Sequence, residues 1–153
     1  MIVGLHVILL RVEDVERERQ FYQDAFDLPL LDLPRVEGRL AHLGLPGIGY
    51  EGSSTFSGTL EIIGGGTPQP VPDDRIHSPT TPVFQVDDIE ESMRRVVAAG
   101  GTVVNDPWSS TQRSAFTSQE IYESARRTGH GVQLAYFADP EGHVIGLRRP
   151  FEL

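Results

Sequence analysis

The sequence predicts one α+β domain whose two halves repeat a strand–helix pattern. Three observations predict it. An apolar run, Leu5 to Val12, leads through Asp14 into the amphipathic stretch VERERQFYQDAFDL, and the same order returns as PVFQV, Asp88 and IEESMRRVVAAGG. The two copies align at a constant offset of 74: Val12 with Val86, Glu13 with Asp87, Asp14 with Asp88, Val15 with Ile89, Glu16 with Glu90. The chain has 153 residues, 39% hydrophobic and 23% charged, which suits one sizeable core and argues against disorder.

Each element has a local reason. Leu5–Val12 is short, apolar and bounded by charge, as a buried strand is. Asp14 is an N-cap candidate, and the helix after it sets Val15, Tyr22 and Phe26 beside Phe21, Ala25 and Leu28, with a charged outer face and a stop at Pro29. Glycines and prolines punctuate residues 30–66, leaving strands at Arg39–Leu45 and Thr59–Ile63. The stretch from Gly64 to Pro82 reads as a linker, so the halves span about 1–66 and 80–153. Asp88 and Glu91 open the second helix, with Ile89, Met93, Val96 and Val97 on one face, and Gly100-Gly101 close it. TVV is a strand, Asn105-Asp106-Pro107 a turn, and VQLAYFA and HVIGLRR are strands joined by the turn DPEG. The segment Ser109–Gly131 breaks the repeat. Thr117 and Glu120 form a capping box there, which predicts a short extra helix from about Ser118 to Arg127, either a lid or a surface decoration.

Composition removes several function classes. The net charge of -9 disfavours nucleic-acid partners. With no cysteine, disulfides, thiolate metal sites and a cysteine nucleophile are excluded. No apolar run reaches the ~20 residues that span a bilayer. The apolar start lacks a basic flank and a cleavage site, so the expectation is a cytoplasmic protein with no membrane partner. No nucleophile elbow or phosphate loop is present.

The strand–Asp–helix with Phe21-Tyr22, its repeat VDDIEESMRRVVAAGG and the late turn ADPEGHVIGL together resemble the vicinal oxygen chelate superfamily. This group holds glyoxalases, bleomycin-resistance proteins and ring-cleaving dioxygenases. The resemblance covers nearly the whole chain except the insertion. It implies two tandem βαβββ modules whose curled mixed sheets surround a cleft for a small molecule, and a homodimer. In metal-dependent members four side chains, typically His, Glu, His and Glu, hold a divalent ion that acts as a Lewis acid.

Set against that pattern, His6 lies on the first strand, but the commonest spacing lands one residue later, on Val7. Glu61 in TLEII matches the fourth-strand glutamate. The third position falls on Thr80 or Thr81, and the fourth on Gly146. Threonine is a poor divalent ligand and glycine has no side chain. His6, Glu61 and, by substitution, His77 are the candidate metal ligands, and His143 is read as a turn residue. Phe84, Trp108 and Tyr136, with His130 at the end of the insertion, are the candidate ligand contacts, the alternative for each aromatic being the core.

The reading that follows is a small-molecule-binding protein with a degenerate metal site and no cofactor, taking an aromatic or drug-like ligand. The alternative is a lyase, isomerase or dioxygenase that uses a divalent metal on His6 and Glu61. A metal-free variant would use Glu61 as general base.

Overall fold

Asp14 and Asp88 each begin a helix in the same way, and the two helices organise the rest. In this computed structural model, which describes residues 7–32, 36–46, 58–71 and 81–153, each Asp side chain accepts from the backbone N–H three residues on, Arg17 or Glu91. Helix α1 runs Val15–Phe26 and α2 runs Ile89–Ala98. α1 stops on Asp27, which takes a left-handed conformation at φ 54°, ahead of the proline expected to end it.

Strands β1 (Val7–Val12), β2 (Leu40–Leu45) and β3 (Gly58–Gly64) form one sheet in the order β1-β3-β2. Strands β4 (Val83–Gln85), β5 (Thr102–Ser109), β6 (His130–Ala138) and β7 (Val144–Glu152) form the second, in the order β4-β7-β6-β5. In both, the first strand of the half pairs in parallel with its last: β1 with β3, β4 with β7. Among the described residues the fold is therefore α+β with two mixed sheets, as expected, and no closed barrel.

Strand alternation places Leu10, Val12, Ala41, Leu43, Leu60 and Ile62 of the first sheet under the helices. Ala135, Phe137, Ile145 and Leu147 do the same in the second. Phe21, Tyr22 and Phe26 of α1 cross between halves, with Phe21 and Phe26 ring centroids 6.0 and 5.6 Å from that of Phe137. α1 also packs on α2. Burying these side chains gives roughly 1.5–3 kcal/mol each before entropy is counted.

Three expectations change. The turn at Asn105-Asp106-Pro107 is strand: β5 continues to Ser109 through two register shifts. β5 is an edge strand, and a bulge on an edge tolerates a proline that lacks its N–H. The extra helix exists as α3 (Gln119–Thr128), but Ser118 caps it, accepting from the Ile121 N–H. Thr117 is turned away, donating to the Ser109 carbonyl at 3.1 Å. Glu18, assigned to the charged outer face of α1, is fully buried at 0% exposure.

Glu18 lies in the joint between the β6–β7 turn and the β1–α1 junction. Glu141 of that turn accepts from the Glu13 N–H at 2.6 Å, the Asp14 N–H at 2.8 Å and the Arg17 guanidinium at 2.8 Å. Tyr22 donates to Asp139 at 2.8 Å. His143 Nδ1 meets the same carboxylate at 2.8 Å, and its Nε2 lies 3.0 Å from the Arg11 carbonyl. The hydrogen bond to Asp139 raises the His143 imidazole above its ordinary value. Gly142, at φ 89°, lets Gln69 cross over the turn, since a Cβ there would lie 2.1 Å from the Gln69 carbonyl oxygen. Neither Glu18 oxygen accepts a hydrogen bond. Burial first, then the Asp139 and Glu141 charges, pushes its carboxyl up to about 9. It is therefore protonated at neutral pH, beside the Asp139 and Glu141 carboxylates.

Two outcomes are expected. Glu141→Ala removes an acceptor from three donors, one of them charged, and should cost on the order of 3 kcal/mol, against about 1 kcal/mol for Asp88→Ala, a cap alone; chemical denaturation measures both. Glu18 binds its proton more tightly folded than unfolded, so its contribution is complete below pH 4.5 and is lost as pH rises toward about 9. Urea melts across that window should show stability falling by on the order of a few kcal/mol, with a shallower slope in Glu18→Gln; equal slopes would show that Glu18 is ionised throughout.

Candidate functional site

The faces of the two sheets turned away from α1 and α2 form the candidate site. On the first sheet, Leu9 of β1, Glu61 of β3 and His42 of β2 are cross-strand partners, so they share one row on this open face. On the second sheet the corresponding row is Val83 of β4, Gly146 of β7, Tyr136 of β6 and Asn105 of β5. Leu9 and Val83 stand at the repeat offset of 74, so Glu61 and Gly146 are twins, and so are His42 and Tyr136. β1 and β4 are edge strands, and a groove of about 920 Å³ lies between them, lined by Val7, Leu9, Thr81, Pro82, Val83 and Val144 among others. Leu9 is 48% and Val83 45% exposed, unusual for large apolar strand residues.

The two rows close differently. In the first, His42 Nε2 lies 3.3 Å from Glu61 Oε2, with side-chain exposures of 13% and 24%. His42 Nδ1 is buried and has no partner. The imidazole therefore meets the carboxylate through Nε2 alone and leaves Nδ1 open. In the second row, Gly146 makes room for the Tyr136 ring. A Cβ at Gly146 would lie 2.8 Å from Tyr136 Cε1 and 3.0 Å from Val83 Cγ2. The space a ligating side chain would need is filled by an aromatic ring.

The four ligand positions implied by the resemblance can be tested on these rows. Val7 precedes Leu9 by two on the same face, and Thr81 is its counterpart at the repeat offset. Val7 offers no donor. Thr81 Oγ1 is buried without a partner and is a weak ligand. Gly146 has no side chain, and Glu61 alone supplies a charged oxygen. These residues do not fit a four-coordinate divalent ion. Among the described residues no group of three His, Asp or Glu side chains is arranged to hold a metal ion.

The other candidates scatter. Trp108 pairs with Leu134 and shares the open face, its ring stacked against Phe116 with centroids 6.1 Å apart. His130 starts β6 opposite Glu152, exposed, on the same side of the strand as Tyr136. Phe84 is on the other face, paired with Leu147 and edge-to-face with Phe26 at 5.9 Å, so it belongs with the core side. His6 and His77 lie outside the described residues. His42 and Asn105 were not singled out from the sequence. The signal for His42 was there: a polar residue in LAHLGL alternates with two core positions, Ala41 and Leu43, and so must face away from them.

The model of the glyoxalase/bleomycin resistance protein/dioxygenase superfamily matches residues 4–147. No curated protein sequence matches the chain. Among solved structures, a glyoxalase/dioxygenase from Nostoc punctiforme is similar at 19% identity and a TM-score of 0.67, covering 98% of this chain and 92% of its own. The fosfomycin resistance protein FosX from Mesorhizobium loti is similar at 19% identity and 0.60, covering 97% and 93%. A mutant of FosX from Listeria monocytogenes, complexed with Mn(II) and 1S,2S-dihydroxypropylphosphonic acid, is similar at 18% identity and 0.61, covering 96% and 90%. At these identities the likeness is one of fold.

Gly146→Ala should destabilise the protein by about 1–3 kcal/mol, because the methyl group overlaps the Tyr136 ring. In a Tyr136→Leu background most of that cost should vanish. A double-mutant cycle by denaturant titration reads the coupling, and additive costs would show that Tyr136 does not occupy the space over Gly146.

Proposed function

The chain belongs to the glyoxalase/bleomycin resistance protein/dioxygenase superfamily, and from that premise we propose that it binds a small, largely apolar molecule on its open face without a metal ion. The observation that carries this reading is at the third and fourth implied ligand positions, which hold Thr81 and Gly146 with the Tyr136 ring lying over the glycine, leaving Glu61 and, on the first strand, Val7 or its neighbour His6. The groove between β1 and β4 supports it, since its walls are mostly aliphatic and its volume of about 920 Å³ accommodates a drug-sized molecule. Tyr136 and Trp108 add aromatic surface to the same face.

Glu61 and His42 favour a second reading, a metal-free enzyme. A carboxylate held by an imidazole at 3.3 Å and flanked by Leu9 is suited to accept a proton from a carbon next to a carbonyl. His42 would then orient Glu61, and the aliphatic groove would limit water.

A thermal-shift screen separates the readings. Planar aromatic compounds should raise the melting temperature, and excess EDTA should leave that rise unchanged. A rise that disappears with EDTA and returns with Mn²⁺ would contradict the metal-free reading. Recovery of the bound compound chemically altered, detected by mass spectrometry, would favour the enzyme.

A further inference from the structure

We propose that His143 is a pH-operated latch between the last hairpin and the first strand, closed while its imidazole is protonated and released from β1 when the proton leaves. The latch belongs to the polar joint at the helix start and is independent of what the open face binds.

A count of donors requires it. Both ring nitrogens face acceptors. Nδ1 lies 3.0 and 2.8 Å from the two Asp139 carboxylate oxygens, and Nε2 lies 3.0 Å from the Arg11 carbonyl oxygen. A backbone carbonyl can only accept. Asp139 is committed as an acceptor too, since it takes the Tyr22 hydroxyl at 2.8 Å and the backbone N–H groups of Glu141 and His143 at 3.1 and 2.8 Å. A neutral imidazole carries one N–H and the imidazolium carries two. Only the charged ring can donate to both partners, so loss of the proton must break one contact.

The two contacts are unequal. Asp139 is a charged acceptor, buried at 1% exposure and fixed in the same turn. The Arg11 carbonyl is neutral, and its bond to the ring is exposed to solvent. The remaining proton therefore stays on Nδ1, and the contact to β1 is given up. Gly142 and His143 line the groove together with Val7, Ile8, Leu9 and Leu10 of β1. Release exchanges a pinned cation at that wall for a neutral ring with a bare Nε2, and it removes one tie between the hairpin and β1.

The surroundings place the change on the alkaline side of the ordinary histidine range. The hydrogen bond to Asp139 raises the imidazole above 6.5 against the opposing effect of burial, and the Asp139 and Glu141 charges and the Arg11 carbonyl add to the rise. From α1, Arg17 lies on Glu141 and offsets part of its charge, Tyr22 shares Asp139, and Glu18 is protonated and adds none. From β1 the Arg11 side chain is exposed, and Gln69, which crosses over Gly142, is neutral. The latch contributes fully below about 6.5 and is lost as pH rises through the higher folded value.

Nuclear magnetic resonance of the full chain, labelled with ¹⁵N and ¹³C and titrated from about pH 5 to about pH 9, tests this. The His143 ring, assigned through its own backbone amide, should titrate with a midpoint above 6.5 and end with its proton on Nδ1. The Arg11 carbonyl ¹³C shift should move with the same midpoint, as its hydrogen bond is lost. Glu18→Gln should leave both transitions in place, because Glu18 carries no charge in that window. A midpoint at or below 6.5, a neutral ring protonated on Nε2, or an Arg11 carbonyl that stays constant while His143 titrates would each overturn the latch. Loss of the Arg11 transition in Glu18→Gln would overturn it as well, by assigning the release to Glu18.

Discussion

The Glu141 carboxylate ties the last hairpin to the start of the first helix, and this tie sets how β1 and β4 face each other. It receives two backbone N–H groups and the Arg17 guanidinium at 2.6–2.8 Å. Asp139, two residues earlier, holds Tyr22 of α1 and His143 together. His143 in turn reaches the Arg11 carbonyl on β1. The first strand, the first helix and the last strand therefore meet at one buried polar joint. The groove begins where that joint ends, since Gly142 and His143 form part of its lining. An ionic joint of this kind is costly to break from one side, because the remaining charges stay buried. It adds specificity of docking to an aromatic core that would otherwise tolerate small slides between halves.

Much of this was legible in the chain. The repeat at an offset of 74 located both helices, both caps and the equivalent strands, because backbone capping and strand alternation are local rules. It also exposed Thr81 and Gly146 as substitutions in the place of metal ligands. What escaped the sequence was long-range. Glu18 reads as one more charge on an acidic helix, and only the arrival of Asp139 and Glu141 from the far end of the chain buries it. Its counterpart at the repeat offset is Ser92, which donates harmlessly to the Asp88 carbonyl at 2.6 Å. Similarly, Asn105-Asp106-Pro107 has the composition of a turn, and its strand conformation follows from its position on a sheet edge.

The candidate site shows the same division. Glu61 was identified from its strand. His42 was not, because its importance depends on the register of β2 against β3, which places the two side chains opposite each other. Phe84 and Tyr136 look alike in sequence, each an aromatic in an apolar strand. Strand parity sends Phe84 to the helices and Tyr136 to the open face. The twin rows then diverge chemically: a carboxylate with an imidazole in one half, a glycine under a tyrosine ring in the other. A symmetric pair of metal-binding halves would need donors in both. Here one half keeps a polar end and the other supplies an aromatic surface, which suits recognition of an asymmetric organic molecule better than coordination of an ion.

Titration of the purified, chelator-treated chain with Mn²⁺, followed by electron paramagnetic resonance, tests that account most directly. The free-ion signal should grow from the first addition, with no saturable site at the open face. Loss of that signal up to one ion per chain, abolished by Glu61→Gln, would contradict it and return the protein to the metal-dependent members of its superfamily.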